Sequence, residues 1–126
     1  MSYRHFSQTD FDGCKPPCKI EDIHPDTLRK ADAAREFAKI AFKVTSAART
    51  LQWEISRGRP GTSSHVYNAS KKCRALDIRA RNSHEVYRVV LGAMMAGFNR
   101  IGVNYEKNFV HLDDDPAKPP EVLFPY

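Results

Sequence analysis

The alternation of apolar and polar positions divides the chain into a loop-rich arm, two helices and several short strands. Residues 1–24 carry no sustained period. Pro25 suits the first turn of a helix, where its missing N–H is no loss, and Asp26 complements the positive helix end. Leu28, Ala31, Ala34, Phe37, Ala38 and Ala41 then recur at helical spacing, which predicts a helix over 25–42. Residues 43–47 read as a short strand. Residues 50–74 are polar and rich in Gly, Pro and Ser around 57–64, so they predict loop, with Trp53 and Ile55 anchoring a short helical piece at its start. Ala75–Arg79 alternates with period two and reads as a half-buried strand. Ser83 as N-cap and Glu85 in the first turn open a second helix. Its apolar stripe is Val86, Val89, Val90, Ala93 and Met94, and Gly97 closes it. Residues 100–103 and 109–112 predict a hairpin. Three prolines exclude a helix from 118–126. Two helices on one side of a small, mainly antiparallel sheet predict an α+β fold in one domain, 1–126.

Composition narrows the partners. A chain of 126 residues is long enough for a two-layer core. Its 41% hydrophobic and 28% charged residues exclude a disordered polymer. The net charge of +5 points to an anionic partner. No apolar run is long enough to span a membrane. The first thirteen residues lack the apolar region of a secretory signal, so synthesis in the cytoplasm is expected. A nucleic-acid binder needs a basic stripe with stacking aromatics or a recognition helix. Arg79, Arg81 and Arg88 are scattered and Arg57 and Arg59 fall in a loop, so nucleic acid is not the expected partner. Cys14, Cys18 and Cys73 are an odd set without zinc-finger spacing and read as structural.

Strand parity locates candidate chemistry. On the last predicted strand Val110 and Leu112 face the core, so Phe109, His111 and Asp113 share the outward face. On the central strand Leu76 and Ile78 face the core, so Ala75, Asp77 and Arg79 point the other way. If these strands pair, Asp77 and His111 converge. His65, at the end of the long loop that feeds the Asp77 strand, can return to the same place. Two imidazoles and a carboxylate form a catalytic zinc set that keeps one position open for water. The alternative is ordinary strand histidines, exposed or satisfied by hydrogen bonds.

The local sequences favour the first reading. Ser63-Ser64-His65, Ala75-Leu76-Asp77-Ile78 and Phe109-Val110-His111-Leu112-Asp113 resemble the zinc D-Ala-D-Ala carboxypeptidase family, within the lysostaphin, D-Ala-D-Ala metallopeptidase and sonic hedgehog superfamily. Its signature is Ser-x-His-x-x-Gly-x-Ala-x-Asp with a later His-x-Asp. Residues 44–49 are similar to its Thr-Ser-Gly-Tyr-Arg segment and 97–103 to its Gly-Phe-x-Arg-Ile-Gly segment. The aromatic, Pro-rich ending over 122–126 resembles small phage-type members. The resemblance implies a hedgehog/D-Ala-D-Ala peptidase-like fold and Zn²⁺ held by His65, Asp77 and His111. It also implies Arg49 on a substrate carboxylate or carbonyl, and Ser63 as support to the site.

Two departures stand out. His65 and Asp77 are twelve residues apart where the family has seven, an insertion within 66–72, and Cys73 replaces the motif glycine. Tyr67, Lys71 and Lys72 in that insertion either rim the cleft and contact substrate or form a solvated bulge. The acid–base residue is open between Asp113, two residues beyond His111 on the same face, and Glu106 in the hairpin loop. Asp113 could instead orient His111, and 113–115 could be a solvated acidic turn. The expectation is a monomeric zinc peptidase of the peptidoglycan peptide stem. It would be a phage or prophage endolysin made in the cytoplasm and acting at the wall, without membrane association. The alternative is a zinc-containing binding module without peptidase activity.

Overall fold

The computed structural model describes residues 3–126. Four helices, α1 (Thr9–Asp12), α2 (Pro25–Ala38), α3 (Leu51–Ser56) and α4 (Ser83–Ala96), accompany five strands. These are β1 (Val44–Ser46), β2 (Ala75–Arg79), β3 (Arg100–Asn104), β4 (Phe109–Asp113) and β5 (Val122–Pro125). The sheet order is β1-β2-β4-β3-β5, antiparallel except for the parallel β3–β5 pair. This is the expected α+β architecture. Among the described residues no helix is long and apolar enough to cross a membrane.

The helix-facing side of the sheet contributes Leu76, Ile78, Val110 and Leu112 to a core shared with Leu28, Ala31, Ala34, Val86, Val89 and Ala93. The small residues of α2 allow α4 to come very close. A Cβ at Gly92 would lie 2.4 Å from the Ala34 carbonyl and 2.8 Å from the Ala38 Cβ. Glycine in a helix is otherwise unfavourable, so close packing is what places it here.

Several expected boundaries shift for local reasons. Helix α2 stops at Ala38 because Lys39 adopts a left-handed conformation (φ 58°) that returns the chain toward β1. Phe37, inside α2 but off its buried face, is 41% exposed and leaves the predicted stripe, as does Met94 of α4 at 63%. The N-cap of α4 is Asn82, whose Oδ1 accepts from the Glu85 N–H at 2.9 Å, and Ser83 is the first helical residue. In α3 Thr50 caps the Trp53 N–H, but Ile55 is exposed and Glu54 is the buried residue. The prolines do exclude a helix from the C-terminal tail, yet 122–125 pairs with β3 as an edge strand, where a missing N–H is tolerated. The N-terminal arm is loop-rich but integral, because Phe6, Phe11, Cys14 and Ile23 enter the core.

Gly92→Ala tests the α2–α4 approach. Helix propensity alone would stabilise it by about 1 kcal/mol. Overpacking against backbone should reverse the sign and destabilise by roughly 1–3 kcal/mol, read as a lower urea midpoint at unchanged slope.

Candidate metal centre

One cross-strand row builds the site. Ser46 on β1 stands beside Asp77 on β2, Asp77 beside His111 on β4, His111 beside Gly102 on β3, and Gly102 beside Phe124 on β5. Residues in register share a face, here the one turned away from the helices. That face was expected to point outward from the core. It is also roofed, because His65, Asp77 and His111 are all at most 3% exposed. The roof has two parts. The 47–66 segment closes one side through reciprocal bonds, Arg49 N–H to the His65 carbonyl and Tyr67 N–H to the Arg49 carbonyl. The tail closes the other, with the Tyr126 ring stacked on His111 at 4.4 Å. Gly102 makes this possible, since a Cβ there would lie 2.7 Å from the Phe124 ring and 2.9 Å from the Tyr126 Cβ.

His65, Asp77 and His111 are brought together and could hold a metal ion. His65 Nε2 lies 3.1 Å from Asp77 Oδ1 and 3.2 Å from His111 Nδ1, and His111 Nδ1 lies 3.0 Å from Asp77 Oδ1. A tetrahedral ion at about 2.0 Å from each of three ligand atoms would separate those atoms by roughly 3.3 Å, close to this triangle.

The proton positions follow from the acceptors on the far side of each ring. His65 Nδ1 lies 2.7 Å from the Ala47 carbonyl and must carry its hydrogen there. His111 Nε2 donates to Asp113 Oδ2 at 2.6 Å. Both inward nitrogens are then left to face an ionised carboxylate oxygen. Such a group needs a positive centre, supplied by a metal ion or by a proton on His111 Nδ1.

The charges are tuned accordingly. Burial drives His65 toward the neutral ring. Burial also opposes ionisation of Asp77, but its place between the His65 and His111 rings holds its carboxyl well below the usual carboxylate range. Burial disfavours a charged His111, yet bonds to Asp113 and Asp77 outweigh it and raise its pKa.

The other expected residues take distinct positions. Arg49 is buried with its guanidinium committed to the protein: Nη2 to Asp77 Oδ2 at 3.3 Å, Nε to Ser46 Oγ at 3.0 Å and Nη1 3.6 Å from Glu54 Oε2. It therefore turns Oδ1 of Asp77 toward the imidazoles. Asp113 bonds the far nitrogen of His111 and Arg100 Nε (2.9 Å), so it is a positioning residue. Asp113–Asp115 is no solvated turn, because all three carboxylates are buried. Asp114 takes Thr27, Lys30 and Arg74, and Asp115 takes the Ser64 hydroxyl at 2.9 Å. That last bond ties the loop carrying His65 to the end of β4. Ser63 lines the cleft and its Oγ accepts from the His65 N–H at 3.1 Å.

Glu106 sits exposed on the hairpin turn, outside the cleft lining. Tyr67, Lys71 and Lys72 also lie outside it. Tyr67 packs on the core, where burial and the neighbouring Asp22 raise its pKa, and Lys72 Nζ donates to the Glu21 carbonyl. The Cys73 N–H, just after the insertion, donates to the Asp22 carbonyl and holds this segment against the arm. Cys73 is buried with its thiol on the Ala75 carbonyl, apart from the three-residue group.

The cleft in front of the group has a volume of about 790 Å³. Its lining includes Trp53, Glu54 and Tyr126, none of which was expected at the site. Glu54 is 1% exposed, and its Oε2 receives Arg59 at 2.9 Å. The only sequence signal for it is a carboxylate one residue from the helix-anchoring Trp53. No family model matches the chain, and no curated protein or solved structure matches it either.

Metal titration followed by elemental analysis checks the centre. The native protein should retain about one divalent ion per chain, and His65→Ala or Asp77→Asn should lose it. Asp113→Asn should keep the ion with affinity lowered about 10–100-fold at unchanged far-UV dichroism.

Proposed function

We propose that the protein is a zinc-dependent peptidase of the D-Ala-D-Ala carboxypeptidase type, acting on the peptide stem or cross-link of peptidoglycan as a phage or prophage endolysin. The observation that carries the reading is the buried His65–Asp77–His111 group, two members of which, Asp77 and His111, line the cleft. Two neutral imidazole nitrogens and one carboxylate oxygen suit Zn²⁺ and leave a coordination position free. Zinc, when bound there, lowers the pKa of a water molecule and polarises a carbonyl.

The protein's own groups supply the rest. Arg49, through Asp77 Oδ2, and Asp113, through His111 Nε2, hold the ligands at fixed orientation. The acid–base role goes to Glu54. Asp113 is bonded to the far side of His111, and Glu106 is outside the cleft. The Glu54 Oε2 atom is held by Arg59, which leaves Oε1 to accept a proton and return it to the leaving amine. The cationic cleft suits the anionic cell wall.

Digestion of purified peptidoglycan, with mass spectrometry of the fragments, tests this reading. New amine ends whose formation stops with chelator and returns with zinc are expected, and the fragment masses name the bond. Glu54→Gln should lower turnover at least about 100-fold while keeping its zinc. Zinc binding without any new ends would leave a binding module in place of an enzyme.

A further inference from the structure

Each acid lining the cleft already faces an arginine. Asp77 is paired with Arg49, Asp113 with Arg100, and Glu54 with Arg59. Four further cations line the same cleft and, among the described residues, have no carboxylate partner: Lys15, Arg57, Lys107 and Lys118. They come from four different segments. Lys15 belongs to the arm against β1, Arg57 follows α3, Lys107 sits in the β3–β4 turn and Lys118 in the β4–β5 connection.

Their spread is informative. Lys107 and Lys118 flank opposite ends of β4, a strand of five residues that spans roughly 16 Å with His111 at its centre. Arg57 is held rather than free to wander, because its guanidinium lies 4.6 Å from the centre of the Trp53 ring. The resemblance gives Arg49 a substrate carboxylate or carbonyl, but that guanidinium already faces Asp77 and Glu54. A substrate anion would have to compete with two buried carboxylates for it. At the four other cations it would compete only with water.

We propose that the cleft takes an extended peptide with carboxylates on both sides of the metal centre, recognised by Lys15, Arg57, Lys107 and Lys118 rather than by Arg49. This deepens the peptidase reading and rests on it for the reaction. The charge preference is separable, because binding can be followed without turnover. Unpaired cations around a low-dielectric cleft raise the local concentration of anions and set orientation along the groove.

Trp53 is the only tryptophan in the chain and stands beside Arg57, so its fluorescence reports occupancy of this wall. The probes are soluble peptide stems released from peptidoglycan, with their carboxylates either free or converted to carboxamides. Each is titrated into the zinc-loaded and the metal-free protein. The free acids should bind on the order of fivefold tighter at low salt, and the preference should shrink at high ionic strength. The preference should fall toward unity in an Arg57→Gln/Lys118→Gln double variant. It should persist in Lys43→Gln, an exposed lysine outside the cleft. Equal affinity for acids and amides, or a preference that survives the double variant, overturns the proposal. A charge preference without cleavage of either peptide or intact wall supports this proposal and removes the peptidase reading. Cleavage of the wall without any charge preference does the reverse.

Discussion

The antiparallel pairing of β2 with β4 is the constraint on which the site depends. It sets Asp77 directly across from His111. A slip of one residue by either strand would turn its own member of the pair, Asp77 or His111, into the helix-facing core and bring its apolar neighbours out to the cleft. Register is therefore secured by the same apolar residues that bind the sheet to α2 and α4. Core packing and site geometry are two consequences of one alignment.

Burying these charged groups requires a compensating network, since an unpaired buried charge is strongly unfavourable. Arg49 answers Asp77, and Arg100 answers Asp113. Lys30 and Arg74 answer Asp114. Among the described residues no buried side-chain nitrogen or oxygen lacks a hydrogen-bond partner. The network also joins distant segments. Ser64 on Asp115 fixes the loop before His65, and Thr27 on Asp114 fixes the start of α2 to the same turn. The acidic run after β4 thus serves as a junction for the His65 loop, the helix layer and the sheet. Preorganised ligands of this kind present their lone pairs without further reorganisation when an ion arrives.

Much of this arrangement was legible in the sequence. Parity alone placed Asp77 and His111 on a common face, because side-chain direction along a strand alternates whatever the strand packs against. Helix α4 and its close at Gly97 followed from local capping chemistry. The three-residue group was likewise readable from motif types, despite the longer spacing between His65 and Asp77. Other features were not legible. The outward face was roofed by Tyr126 and the Arg49–Tyr67 segment, whose placement depends on pairing between residues far apart in the chain. For the carboxylates at 113–115 the sequence left an acid–base role, a brace on His111 and a solvated turn all open, because nothing local marks Lys30, Arg74, Arg100 or Ser64 as their partners. Glu54 was hidden for the same reason, its partners being Arg49 and Arg59 folded back across α3.

The sequence by itself determined the periodicities, the caps and the chemical types at each position, since these depend on local backbone geometry and side-chain chemistry. That was enough to specify an α+β sheet and a His–Asp–His set on one of its faces. Only the tertiary structure decided which carboxylates are available and which are consumed. Asp113 proved to be a brace for His111, Arg49 a brace for Asp77, and the insertion after His65 a prop against the arm. Availability is a matter of distance between segments, and that distance is set by packing, which no local pattern encodes.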